Sequence, residues 1–390
     1  MSRYDAIVLG LGAMGSAATW QLAKRGARVL GIDGFAPPHA MGSTHGETRI
    51  TRLAIGEGSH LTPLALRSHE IWREIERETG RDLLTAKGGL ILSSDARTSK
   101  THVEGFFANT LAAARQFHIA HEILDAAAIR KRFAQFLVQD NEIGYFEPGA
   151  GFVRPEACVS AQLDLARKNA ADTRVNERVL DFAEDATGVT VRTATATHRA
   201  DRLVVCGGPW LPSLLDARTA RLFRIYRQVL FWFAIDGPIA PWEEDRFPIF
   251  IWELQNTNQG IYGFPAIDGA RGGVKIATEQ YDAETSPAAA ERAVSAEEVA
   301  SMHAHHVAPN FSGLGPTCVK SAVCLYTVTP DFGFVIDWLP GSERVLIASP
   351  CSGHGFKHSA AIGEALAQLV MEDKSTLELS AFRFDRFNDR

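Results

Sequence analysis

Apolar positions along this chain switch period repeatedly, and each switch predicts an element. Asp5-Ala-Ile-Val-Leu9 is a short apolar run of strand character, and from Ser16 to about Arg25 the apolar residues recur at helical spacing. Arg28-Val-Leu-Gly-Ile32 predicts a second strand. Leu61 to Gly80, apolar at Leu64, Leu66, Ile71, Trp72 and Ile75, predicts an amphipathic helix. A strand at Gly89–Ser93 and a polar helical region from about Arg97 to Phe136 follow. The Gly- and Pro-containing stretch Phe146–Phe152 reads as a loop, Pro155 to Asn169 as a helix, and Val175–Phe182 and Val189–Thr193 as strands. The apolar strand Arg202–Cys206 runs into Gly207-Gly-Pro-Trp210. Between Tyr226 and Val323 aromatic and β-branched clusters alternate with turns, the texture of an antiparallel sheet. The end returns to α/β texture: a strand at Arg344–Ala348, a turn at Ser352–Lys357 and a helix from Ser359 to Met371.

What joins the first two elements carries chemistry. Gly10-Leu-Gly12-Ala-Met-Gly15 links the opening strand to the opening helix. Gly10 allows a tight turn, Gly12 lets backbone approach a pyrophosphate, and Gly15 lets the helix pack close to the sheet, with phosphates meeting the helix N-terminus. Asp33, at the end of the second strand, stands at the spacing of an acid that grips a ribose 2′-hydroxyl. Strand, glycines, helix, strand and acid in this order predict dinucleotide binding. In an open parallel sheet ligands lie at the carboxyl ends of strands, so Gly207 could bring backbone against the same dinucleotide. Gly149-Ala-Gly151 and Gly313-Leu-Gly315 do not follow a strand and open a helix, so a single dinucleotide is expected.

The chain's 390 residues exceed the size at which one core stops growing, so two domains are expected. A net charge of -6 with scattered cations gives no basic stripe for nucleic acid. The chain holds no run of eighteen apolar residues, and it enters its first strand without room for a signal peptide. A cytoplasmic protein without a membrane partner is the expectation. Five cysteines, at 158, 206, 318, 324 and 351, are too sparse for a disulfide framework and lack metal spacing, so no metal is expected. Cys158 and Cys206 read as small buried hydrophobes.

NAD and FAD share the opening fingerprint, and residues further along must separate them. Ser43 to Arg52 concentrates cations and small residues in a loop that would lie beside a redox ring. The Ser352–Lys357 turn, with Gly353 and Gly355, aims backbone N–H groups and a helix N-terminus at what lies before it. That arrangement suits the negative charge of a reduced flavin.

GLGAMGSA near the start, STHGETRITR at 43–52, GEG and PLALRS within 56–68, YRQV at 226–229, YGFP at 262–265, CLYTVTPD at 324–331 and SGHGFKHS at 352–359 together resemble the monomeric sarcosine oxidase and N-methyltryptophan oxidase family. The resemblance runs through nearly the whole chain. It implies FAD, oxidation of the C–N bond of secondary amino acids, O2 as electron acceptor with release of H2O2, and a monomer. It implies covalent attachment of the flavin through Cys324, a substrate pocket lined by Tyr262 and Tyr326, and a carboxylate clamp of Arg52 and Lys357. An arginine fork with a lysine point charge suits such an anion. His45 and Arg49 match residues beside the flavin, and Lys275 matches the family's oxygen-activating lysine.

Glu279 departs from the sarcosine oxidase pattern, which has a histidine four residues beyond the lysine, and the link from YGFP to Lys275 is two residues longer. Glu279 could pair with a substrate amine or turn to solvent. A bulkier N-methyl amino acid or a cyclic imino acid therefore stands level with sarcosine as substrate. The expected architecture is α/β: a Rossmann-like FAD-binding domain assembled from residues 1–85, 146–216 and 320–390, with a mostly antiparallel substrate domain from 86–145 and 217–319. A flavin dehydrogenase passing electrons to a quinone or carrier, and a nicotinamide-dependent reductase, are the alternatives.

Overall fold

The computed structural model of the chain describes residues 3–99, 103–255 and 257–387. The opening unit forms as its pattern predicts: a strand at Arg3–Leu9, a helix at Ala13–Lys24 and a parallel strand at Val29–Ile32. Gly10 has φ +84° and a Cβ there would lie 2.3 Å from the Cys206 carbonyl oxygen, while a Cβ on Gly15 would lie 1.6 Å from the Gly10 carbonyl oxygen. Helix and turn are thus in contact distance only because both residues lack a side chain.

An eight-stranded sheet grows from this unit. Its spatial order is Val179–Asp185, Gly188–Thr193, Thr197–Val205, Arg3–Leu9, Val29–Ile32 and Asp172–Arg174, with Val345–Ser349 also paired to Thr197–Val205 and Val335–Trp338 paired to Val345–Ser349. The buried strands around Arg3–Leu9 pair in parallel, and the outer hairpins are antiparallel. Helices Ala13–Lys24, Thr62–Thr79, Pro155–Lys168 and Ser359–Glu372 cover one face and share an apolar core with it. Cys158 and Cys206 are buried, as their apolar settings predict, and burial pushes the Cys206 thiol up to about 12.

A nine-stranded sheet forms the second layer system. It runs Glu284–Thr285, Arg224–Ile235, Val274–Thr278, Ile261–Gly263, Ile249–Trp252, Gly89–Ser93, Ile143–Glu147 and Glu122–Asp125, with Leu314–Val328 paired along Arg224–Ile235. Every pairing is antiparallel except that of Gly89–Ser93 with Ile249–Trp252. Phe136, Phe247, Phe250, Trp252 and Phe311 pack ring against ring behind it. A small sheet of Arg49–Thr51, Gly151–Val153 and Leu84–Thr85 lies between the two systems in the chain.

Three expected elements differ. The region from Arg97 to Phe136 holds two helices, Phe106–Gln116 and Ala126–Arg132, separated by the strand Glu122–Asp125, because Glu122–Asp125 finds a partner in Ile143–Glu147. Residues 100–102 of that region lie outside the described residues. The stretch 146–152 is the end of one strand and the start of another joined by a tight turn, and the strand expected at Val175–Phe182 is set later, at Val179–Asp185.

Candidate active site

A cavity of about 510 Å³ lies among the nine-stranded sheet, the small sheet and the turn that follows Val345–Ser349, and its walls include Arg49, Arg52, Tyr262, Lys275, Glu279, Tyr326, Gly353 and Lys357. Eight of the residues singled out in the sequence thus converge from five separate stretches of chain. Another cavity, of about 600 Å³, lies near Lys87, Arg132, Trp242 and Arg246 and contains none of them.

Lys275 is buried, 2% exposed, and its Nζ donates to the carbonyls of Gly46 at 2.8 Å and Thr48 at 2.9 Å and to Thr48 Oγ1 at 3.2 Å. The rings of Phe264 and Trp232 stand 4.5 and 5.3 Å from the ammonium. Burial, followed by the Arg49 charge, pushes its pKa well below the ordinary lysine value. Arg49 is itself tied to the loop, donating to the carbonyls of Thr48 and Ser43, each at 2.8 Å. His45 is held neutral, its pKa pushed down to about 3 by burial and then by the Arg49 and Lys275 charges, and its buried Nε2 has no hydrogen-bond partner.

Cys324 lies on the strand Leu314–Val328, opposite Gln228, and is 1% exposed. Burial pushes the thiol up, while Arg49 and Lys275 pull it down by less. The cationic setting that favours a thiolate is present. In the protein as it stands the thiol form prevails. Two residues along, Tyr326 faces Tyr262, hydroxyl to hydroxyl at 3.5 Å, and burial pushes both phenols up.

Arg52 and Lys357 both reach one carboxylate, a group that sequence reading missed. Glu57 is ion-paired with Arg52 through one oxygen and lies 3.2 Å from Lys357 Nζ through the other. Arg52 also donates to the Ala54 carbonyl at 2.7 Å and Lys357 to the His354 carbonyl at 2.8 Å. Burial brings Lys357 down to about 8, against the pull of Glu57. The signal for Glu57 was in the GEG segment: an acid five residues past the arginine, between two glycines. Glu147, also missed, accepts the N–H groups of Leu53 at 2.6 Å and Ala54 at 3.2 Å and so holds the chain that follows Arg52.

Glu279 lines the cavity beside Tyr281, whose phenol is pushed up by burial and then by the Glu279 charge. Gly353, at φ +85°, abuts this corner: a Cβ there would stand 3.0 Å from Glu279 Oε1, Tyr281 Oη and Tyr326 Cε2. Gly355 is packed under the same turn, where a Cβ would lie 1.6 Å from the Pro350 carbonyl oxygen.

The glycine turn expected to receive a pyrophosphate follows the opening strand. A Cβ on Gly12 would meet only Thr44 Oγ1, at 3.4 Å, so backbone is open on that side. Gly207 follows Cys206, whose N–H donates to Leu9 at 2.7 Å, which sets the Gly207 turn beside Gly10. Asp33 accepts the N–H groups of Leu11 at 2.7 Å and Phe35 at 2.8 Å. An ionised carboxylate has about four acceptor sites, which leaves capacity for a ribose hydroxyl. The glycine turn with room before it, the acid at the second strand and the buried cationic loop beyond fit a dinucleotide with a redox ring. Among the described residues no group of three or more His, Cys, Asp or Glu could hold a metal ion, and no helix is long and apolar enough to cross a membrane.

A family model for FAD-dependent oxidoreductases matches residues 5–369. The chain belongs to that family. It is 40% identical to monomeric sarcosine oxidase of Streptomyces avermitilis over 380 residues, covering 97% of this chain and 96% of the relative. It is 35% identical to N-methyl-L-tryptophan oxidase of Escherichia coli over 390 residues, covering 99% of this chain and all of the relative. Among solved structures a substituted form of NikD, described as an unusual amino acid oxidase, superposes with a TM-score of 0.84 at 25% identity, covering 98% of this chain and 97% of that one. This FAD-dependent oxidoreductase therefore shares its fold and most of its length with enzymes named for the oxidation of amino acids.

Proposed function

We propose that the protein oxidises the C–N bond of a secondary amino acid of sarcosine or N-methyl-L-tryptophan type, with O2 as acceptor. An imine and H2O2 are the products, and water then splits the imine into an amine and a carbonyl compound. The observation that carries this reading is the convergence of Arg52 and Lys357 on the cavity that also holds Tyr262, Tyr326 and Lys275. FAD, when bound, supplies the two-electron acceptor and passes the pair to O2.

Gly10, Gly12, Gly15, Asp33 and Gly207 would hold the dinucleotide, Gly353 and Gly355 would present the second turn to its ring, and Cys324 would carry the covalent link. Arg52 and Lys357 bind the substrate carboxylate, displacing Glu57 from part of its contact. Tyr262 and Tyr326 wall the substrate, and the Glu279 carboxylate accepts a hydrogen bond from its amine. His45 stays neutral beside Arg49, and Lys275 supplies the positive charge that favours reduction of O2. We take the cofactor unit as 1–85, 146–216 and 320–390 and the substrate unit as 86–145 and 217–319, although Leu314–Val328 carries the 320 boundary within a strand of the second sheet. The same reading makes the protein a cytoplasmic monomer with small-molecule partners only.

Peroxide release across sarcosine, N-methyltryptophan, pipecolate, proline and fructosyl amino acids tests the assignment. Turnover of at least one with stoichiometric peroxide is expected. Turnover only with a quinone acceptor would replace the oxidase by a dehydrogenase.

A further inference from the structure

The loop from Ser43 to Arg49 runs between two groups of opposite charge. On one side stands Glu156, in the first turn of the helix Pro155–Lys168. Its Oε1 accepts the N–H of Gly46 at 2.6 Å and that of Glu47 at 3.2 Å. On the other side Lys275 donates to the carbonyl of Gly46 at 2.8 Å. The Glu47 N–H and the Gly46 carbonyl belong to one peptide group. A carboxylate therefore holds the positive end of that peptide dipole and an ammonium the negative end, an arrangement in which each strengthens the other.

The backbone supports the same reading. Gly46 has φ +95° and Glu47 φ +70°, and successive N–H groups in such a turn form a concavity that suits an anion. Glu47 is not a glycine, and a left-handed φ is uncommon for such a residue, so the turn needs holding: Glu156 holds its N–H groups, and the Thr48 N–H donates to the Gly46 carbonyl at 2.8 Å. The carbonyls of Gly46 and Thr48 that hold Lys275 are aimed by this turn.

We propose that Glu156 is a positioning residue for Lys275: from the far end of the Gly46–Glu47 peptide it fixes the turn whose carbonyls receive the ammonium. The other groups facing Lys275 are Arg49 and neutral His45 from the loop and its strand, and Cys324 from Leu314–Val328. Trp232 stands beside it with Lys320, paired to Glu47, at 5.0 Å from the same ring. Among these, Arg49 opposes the charge on Lys275, whereas Glu156 favours it. The catalytic consequence of the proposal rests on the reading of Lys275 as the residue that promotes reaction with O2; the positioning itself does not.

The test uses holoenzyme carrying lysine labelled with carbon-13 at Cε, with the Lys275 resonance assigned by its loss in Lys275→Met. In Glu156→Gln the Lys275 resonance is expected to titrate about one pH unit lower than in wild type, the scale of one nearby charge. Glu156→Asp keeps the charge but withdraws it, and a smaller fall is expected. The pH above which reoxidation by O2 slows should move down with the midpoint. An unchanged midpoint in either variant would overturn the proposal. A lowered midpoint together with wild-type reoxidation in Lys275→Met would support the positioning and remove the oxygen role instead.

Discussion

Glu57 and Arg52 form an ion pair inside the protein, with only 4% and 2% of their side chains exposed. The guanidinium expected to receive a substrate carboxylate already holds a carboxylate of the chain. That solves a physical problem, because two buried cations, Arg52 and Lys357, would otherwise stand together without an anion whenever substrate is absent.

Removing the internal anion should therefore couple stability to ligand. Glu57→Gln is expected to lose about 3–5 kcal/mol, the usual cost of breaking a buried pair from one side. A non-oxidisable carboxylate such as benzoate should restore more stability in the variant than it adds to wild type. Thermal unfolding with and without benzoate checks this. Equal gains in both proteins would show that Glu57 and external carboxylates do not compete.

Lys357 sets a pH limit on binding. With its pKa brought down to about 8, the ammonium is lost as pH rises through 8, and the carboxylate clamp is reduced to Arg52. KM should rise above pH 8 while kcat changes less, and in Lys357→Met this rise should vanish. The linkage to stability has the opposite direction. An unfolded chain keeps this proton up to about 10.5, so between about 8 and 10.5 it binds more protons than the folded protein, and stability gains as pH rises through that window. Initial rates and thermal unfolding across pH 6.5–9.5 test both. His45, held down to about 3, contributes no limb in that range.

Cys324→Ser should fold and bind FAD, but acid precipitation should release its colour, whereas wild type keeps it in the pellet. Serine offers no thiolate for the bond. Colour retained in the variant would point to Cys351, whose Sγ accepts the Thr327 N–H at 3.4 Å beside the same strand, or to Cys318.

The two half-reactions should separate by residue. Lys275→Met keeps the bulk of the side chain and removes the charge, so reoxidation by O2 should slow by about 10²–10³-fold, the usual effect of one preorganised charge-stabilising group. Anaerobic reduction by substrate should change little. Arg52→Ala should do the reverse, raising the substrate concentration needed for reduction. Stopped-flow absorbance on both halves checks the pair, and wild-type reoxidation in Lys275→Met would place oxygen activation elsewhere.

The sequence alone determined the features that are local in the chain. Strand, glycine turn, helix and acid lie within residues 5–33, and each step depends on neighbours a few positions away, so pattern and glycine spacing suffice. The helices Thr62–Thr79, Pro155–Lys168 and Ser359–Glu372 were legible for the same reason: their buried faces recur at helical period. Tertiary structure decided what depends on distant partners. Glu122–Asp125 is a strand because Ile143–Glu147 lies beside it, not because its own four residues favour one. Side chains alternate between the faces of a strand, and that alone does not say whether the face of Lys275 is covered. Packing buried it, because both faces of Val274–Thr278 are covered. The contacts of Glu57 with Lys357 and of Glu156 with Gly46 cross 300 and 110 positions of chain respectively, and no local pattern of charge records which distant lysine or which turn a carboxylate will meet.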